Sequence, residues 1–178
     1  MTERLYEIIS KEHLMTSEIL KTCCFTGHRS ITNTKQISRE ISAEISKLYN
    51  LGVRKFISGM AQGFDLLAAK EVAALKQKFK DIELVLAIPC RDQALRWNKQ
   101  SQIIYQTLVR QADEVVYLSP YYNKYCMLKR DRYMVDNSGY VIAFLTKRAG
   151  GTFYTVKYAE KLERKIINLA KVGEEIVN

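Results

Sequence analysis

Leu84-Val85-Leu86-Ala87-Ile88 is apolar at every position, and Val141-Ile142-Ala143-Phe144-Leu145 repeats that property further along the chain. A strand with one wet face alternates apolar and polar residues. A strand without alternation is buried on both faces, which implies a parallel sheet covered by helices on each side. Outward from these two runs, short apolar or β-branched segments predict strands at residues 22–25, 53–57, 83–88, 114–118 and 140–145, with a weaker one at 165–169. Helical spacing fills the intervals. Ile37, Ile41, Ile45 and Leu48 form one stripe on a helix opened by the Thr32-Asn33-Thr34 cap signals and stopped by Leu51-Gly52. A second helix is expected to start with Asp65 as its N-cap and carries Ala68, Ala69, Ala73 and Ala74. Others are expected over residues 93–112, 127–137 and 152–164. Pro89 and Pro120, the only prolines, follow strand candidates as loop residues. The alternation predicts a doubly wound α/β domain with a mostly parallel sheet and helices on both faces.

Composition bounds the reading. The chain has 178 residues, a length for one domain. Its 47% apolar content, with only 8 Gly and 2 Pro, excludes a collagenous or low-complexity chain. No apolar run approaches the roughly 20 residues that a spanning helix needs, so no membrane insertion is expected. Residues 1–20 mix charges with Leu5, Ile8, Ile9, Leu14 and Ile19. They read as an N-terminal helical extension rather than a signal peptide, before a single domain over 21–178. A cytoplasmic location follows, consistent with Cys23, Cys24, Cys90 and Cys126, which form neither a CxxC pair nor a regular framework. Cys23 and Cys24 fall within a predicted strand and read as packing residues. The net charge of +9 favours anionic partners without naming one.

Ligands of open parallel sheets bind outside the carboxyl ends of the strands, so the loops after each strand carry the functional information. Three are built alike: Thr26-Gly27-His28-Arg29, then Ser58-Gly59-Met60-Ala61-Gln62-Gly63-Phe64-Asp65, then Lys147-Arg148-Ala149-Gly150-Gly151-Thr152. Glycine lets the backbone approach phosphate oxygens, a following helix offers free N–H groups, and Ser or Thr adds a hydroxyl. Arg29 and Arg148 add charge-assisted donors. His28 is a candidate ligand contact, or a turn residue bonding locally. Asp65 can cap its helix and also hold a ribose hydroxyl. GxxxxGK[ST], GxGxxG and GxSxG are all missing, and two histidines beside scattered cysteines make no zinc site. No cofactor is required by this residue set. A second cluster, Tyr121-Tyr122-Asn123-Lys124-Tyr125 followed by Lys129-Arg130-Asp131-Arg132, interleaves aromatics with cations in a manner that suits a base, a nucleic-acid strand or simple packing over the sheet edge. Trp97 sits after the third strand and can reach the same edge or anchor its own loop.

The runs FTGHR (25–29), SGMAQGFD (58–65), the segment from Ile88 to Asn98 containing RWN, RYMVDNS (132–138) and AGGT (149–152) together resemble the YpsA-like family of the SLOG superfamily. That superfamily also contains the DNA-processing protein DprA and the LOG-type phosphoribohydrolases. The resemblance is collinear over residues 21–169. It implies a Rossmann-like fold binding a nucleotide or nucleotide-derived, ADP-ribose-like ligand, with phosphate contacts at Gly150, Gly151 and Thr152. Gly59 and Gly63 would line the neighbouring loop, Gly27 and Arg29 would complete the pocket, and Arg132 with Asp136 would close it. In the LOG pattern PGGxGTxxE the glutamate takes part in cleaving an N-glycosidic bond. Thr155 stands at that position here and Ala149 replaces the proline, which moves the expectation from hydrolysis towards binding or sensing. A nucleotide hydrolase using His28, Asp65 or Asp136 is the second reading. DprA-like binding of single-stranded nucleic acid is the third. The resemblance also implies a homodimer formed through helices.

Overall fold

A computed structural model of the chain describes residues 16–170. The N-terminal extension expected over residues 1–20 lies mostly outside the described residues. Its last part, residues 16–20, is helical and meets the start of the sheet, where the Gly139 N–H donates to the Ile19 carbonyl at 2.7 Å.

Six strands, β1 (Thr22–Gly27), β2 (Lys55–Ser58), β3 (Glu83–Ile88), β4 (Glu114–Tyr117), β5 (Tyr140–Phe144) and β6 (Lys165–Asn168), form one sheet in the order β4-β3-β2-β1-β5-β6, with every pair parallel. The chain builds outward from β1 to β4, then returns to the other side of β1 for β5 and β6. The crevice between β1 and β5 is therefore the topological switch point.

Successive strand residues feed opposite faces, and two separate cores result. On one face Cys23, Phe25, Phe56, Leu84, Leu86, Ile88 and Ile142 pack beneath α1 (Thr34–Asn50), α2 (Phe64–Leu75) and α3 (Lys99–Gln111). On the other, Cys24, Ile57, Val85, Ala87 and Val141 pack beneath α4 (Cys126–Asp136) and α5 (Gly150–Lys161), which contribute Met134, Val135 and Ala159. Phe25, Phe56, Leu84 and Leu86 are wholly buried, and each such side chain contributes about 1.5–3 kcal/mol of transfer free energy. Both cysteines of β1 are buried, and desolvation pushes the Cys24 thiol up to about 12, so they act as small core residues.

The stripe on α1 is the one read from its spacing: Ile37, Ile41, Ile45 and Leu48 are its buried residues. Its end is a Schellman motif, with Val53 N–H donating to Leu48 O, Gly52 N–H to Tyr49 O, and Gly52 at φ +96°. Two helix starts differ from the sequence expectation. Asp65 is not the N-cap of α2. Gly63 is, at φ +83°, and Asp65 lies in the first turn with its carboxylate buried. The third helix begins at Lys99 rather than near residue 93, because Asn98 caps it by accepting the Ser101 N–H at 2.9 Å. Residues 93–98 stay irregular and are held by the Gln102 amide, which donates to the carbonyls of Ala94, Leu95 and Trp97 at 3.0–3.1 Å.

Candidate functional site

The loops after β1 and β2 are folded against each other. Phe64 N–H donates to His28 O at 3.1 Å, and a Cβ on Gly63 would run into the backbone of His28 and Arg29. A Cβ on Gly27 would meet the Phe64 side chain. One on Gly59 would meet the Arg130 side chain and the Asp65 carboxylate. These three glycines are thus explained by close packing within the protein. Gly150 and Gly151 differ: nothing lies within 4 Å of where their Cβ atoms would be. They open α5 after Ala149, which is extended and gives no side-chain cap, so the first-turn N–H groups have no side-chain partner there. Thr152, in the same turn, is buried.

His28 bridges the switch-point crevice. Its Nε2 accepts the Thr146 N–H at 3.0 Å, tying the β1 loop to the β5 loop. An accepting nitrogen is an unprotonated one. Burial, followed by the nearby Lys147, holds its pKa below the ordinary value. His28 is therefore a neutral staple between two loops of the site. Ser58 is equally internal, its Oγ donating to Asp65 O at 2.9 Å and accepting the Met60 N–H at 3.2 Å. Met60 is buried at φ +55°, a left-handed conformation uncommon for a non-glycine residue, and its carbonyl accepts from Gln93 Nε2 at 3.0 Å. The strained turn carries Ala61 and Gln62 to the sheet edge.

Under these loops lies a buried charge cluster. Arg130, 6% exposed, donates through Nη1 to Gly59 O at 2.5 Å and through Nε to Asp131 Oδ1 at 2.7 Å, and sits 3.7 Å from Asp65 Oδ2. One guanidinium cannot neutralise two ionised carboxylates in a dry place. Desolvation raises Asp65 to about 7, against the pull of Arg130 and of the Ala61 and Gly27 N–H groups. Asp131 is also raised by burial, while Arg130, the Thr155 hydroxyl and Arg29 act against the rise. The sequence held a signal for this cluster: Arg130 and Asp131 share a helical face with Cys126, Met134 and Val135, so two charged residues occupy core positions of α4.

A cleft of about 510 Å³ opens at the carboxyl ends of β1 to β4. Arg29 comes from the β1 loop, Ala61 and Gln62 from the β2 loop, Asp92, Gln93, Arg96 and Trp97 from the β3 loop, and Tyr122 with Met127 from the segment after β4. Its walls are tied together. Asp92 Oδ1 accepts the Tyr122 N–H at 3.0 Å, the Trp97 ring meets Tyr105 edge-on at 5.5 Å, and Gln93 bridges to Met60 while its Oε1 is buried without a partner. Cys90 also lines the cleft. Burial raises its thiol to about 12, so it is a protonated wall and not a thiolate nucleophile.

Arg132 and Asp136 are placed elsewhere. Both are exposed on the seam between α4 and α5, where Arg132 Nε donates to Tyr154 Oη at 3.0 Å and Asp136 Oδ1 accepts from Tyr158 Oη at 2.8 Å. Neither lines the cleft with Arg29. Thr155 is buried, and its Oγ1 donates to Gly151 O at 2.9 Å. Among the described residues no group of three or more His, Cys, Asp and Glu could hold a metal ion, and no helix is long and apolar enough to cross a membrane.

An open, all-parallel sheet with helices on both faces and its cleft at the carboxyl edge defines a Rossmann-like α/β protein. Within that class the chain belongs to the YspA SLOG family, whose profile matches residues 23–172. Relatives include a UPF0398 protein of Staphylococcus epidermidis, 26% identical over 135 residues that cover 70% of this chain and 72% of that one. Another is the SPbeta prophage-derived protein YoqJ of Bacillus subtilis, 29% identical over 120 residues, with coverage of 60% and 70%. Among solved structures, DNA processing protein A of Streptococcus pneumoniae superposes with a TM-score of 0.64 at 18% identity. The match covers 88% of this chain, which spans 54% of that DprA chain. DNA processing protein A of Helicobacter pylori, whose structure was described for its single-stranded DNA binding mode, gives 0.64 at 19% identity, covering 91% of this chain and 70% of that one. At such identities the likeness shows the fold.

Proposed function

We propose that the protein binds or senses a nucleotide or nucleotide-derived ligand, ADP-ribose-like in kind, at the carboxyl edge of its sheet. The observation that carries this reading is the pre-tied cleft, in which Arg29 and Arg96 stand beside aromatic and amide side chains. The uncapped first turn of α5, with Gly150, Gly151 and Thr152, is the second anion-binding element on the same edge. Ser58, Gly59, Gly63, Asp65, Gly27 and His28 act from beneath, fixing the loops that carry Arg29 and Gln62. Arg132 and Asp136 hold α4 to α5 and take no direct part.

The test is thermal unfolding against AMP, NAD, ADP-ribose and cyclic dinucleotides. A ligand at a hundred times its dissociation constant stabilises by roughly 2.7 kcal/mol, about 5 to 10 °C for a domain of this size. A selective shift that Gly151→Leu abolishes supports the reading; a flat panel contradicts it.

One observation favours a second reading, single-stranded nucleic acid. Tyr121, Tyr122 and Tyr125 stand exposed beside Lys124 and Lys129, and the fold is shared with the two DprA structures. Such binding would weaken steeply with salt.

A further inference from the structure

The cleft is lined by both aromatic and cationic side chains, and the two kinds suit different parts of a ligand. Five of the eight exposed large hydrophobic side chains among the described residues, Leu95, Tyr117, Tyr121, Tyr122 and Tyr125, lie at or just after the carboxyl ends of β3 and β4. Exposed apolar surface gathered at one edge marks a binding surface. Tyr122 is 65% exposed, yet its backbone is fixed by Asp92, so its ring is held out in water rather than left loose. Trp97 is anchored on the opposite account: one side packs on Tyr105 and the core, and the rest lines the cleft. Gln102 pins the carbonyl of Trp97 itself. Arg29 and Arg96 complete the lining, with Asp92, the one carboxylate there, already engaged by the Tyr122 N–H.

From this arrangement we infer that the cleft contains a nucleobase subsite: Trp97 and Tyr122 take the face of the base, and Arg29 with Arg96 take the phosphate joined to it. The inference rests on the nucleotide reading above and locates the base within that site. A flat π-face suits rigid aromatic walls that lose little side-chain entropy on binding, and planar guanidinium groups match phosphate oxygens. Stacking tolerates every base, so the subsite selects for the presence of a base more than for its identity. The same chemistry is offered by a free nucleotide and by a nucleotide within a strand.

Trp97 is the only tryptophan of the chain, so its emission reports this subsite alone. The intact protein is titrated with AMP, UMP, ribose 5-phosphate and the tetranucleotide dA4, by Trp fluorescence and by calorimetry in parallel. Saturable quenching by AMP and UMP, absent with ribose 5-phosphate, supports the subsite with a free nucleotide as ligand; quenching by dA4 alone supports it with a strand as ligand. Tyr122→Ala, at an exposed position that leaves the fold intact, should weaken the quenching ligand about tenfold. Arg96→Ala should weaken it and lower its salt dependence. Heat of binding with Trp97 emission unchanged, or full affinity in Tyr122→Ala, overturns the subsite while the nucleotide reading stands. No heat with any of these probes overturns both.

Discussion

Replacing Arg130 by alanine removes the counter-charge of two buried carboxylates. The guanidinium is held by the Gly59 carbonyl, by Asp131 and by Asp65, and it is 6% exposed, so no water is at hand to take its place. Removing one partner of a buried ion pair costs about 3–5 kcal/mol. At about 2–4 °C per kcal/mol for a chain of this size, the unfolding midpoint should fall by about 6–20 °C. The loss should depend on pH. In the unchanged protein Asp65 holds its proton up to about 7, far above its ordinary value, so between those limits the folded state binds more protons than the unfolded chain. The stability that this group contributes is present at low pH and is lost as pH rises through about 7. Without Arg130 both carboxylates are pushed higher, so the variant is penalised most at pH 8.5 and least at pH 5.5. Thermal unfolding followed by far-UV circular dichroism at the two pH values measures this directly. A midpoint within 2 °C of the unchanged protein at pH 8.5, or an equal loss at both values, would refute the reasoning.

Other substitutions probe separate links. Gly63→Ala places a Cβ against fixed backbone at φ +83° and should destabilise by more than about 2 kcal/mol in denaturant unfolding. Gly151→Leu, with open space around it, should change stability by less than about 1 kcal/mol and act only on ligand binding. Gln102→Ala frees the three carbonyls that hold the β3 loop, and hydrogen exchange across residues 93–98 should accelerate while the central strands keep their protection. His28 has its pKa lowered in the fold, so its contribution is present above the ordinary value of 6.5 and is lost as pH falls through the folded pKa. Its NMR titration should show a midpoint below 6.5, and a midpoint above that value would mean that the Thr146 N–H is not bound to Nε2.

The parallel sheet was legible because β3 and β5 are apolar at successive positions, a pattern that only two-sided burial explains. The α1 stripe and the Leu51-Gly52 stop were equally plain, since both are local. What the sequence obscured depended on contacts between distant loops. Asp65 reads as an N-cap by residue type, but Arg130, far along the chain, draws it into a buried cluster and leaves the cap to Gly63. Three glycine loops look alike in sequence. Only the structure separates Gly27, Gly59 and Gly63, whose hydrogen atoms face protein, from Gly150 and Gly151, which face open space. Residues 93–98 have helical periodicity and stay irregular because Asn98 caps the helix that follows them and the Gln102 amide takes their carbonyls, and that irregular stretch makes the cleft wall. Arg132 and Asp136 carry the right residue types but project onto the α4–α5 seam, a matter of helix phase rather than composition.

The central claim is that a nucleotide-type ligand binds at the carboxyl edge of this sheet. Amide chemical-shift mapping of the ¹⁵N-labelled protein titrated with AMP and ADP-ribose tests it most directly. The account predicts saturable shifts confined to the loops around Arg29, Gln62, Asp92 to Trp97, Tyr122 and Gly150 to Thr152. Shifts centred on the amino ends of the strands or on the α4–α5 seam, or no shifts with either ligand, would contradict it.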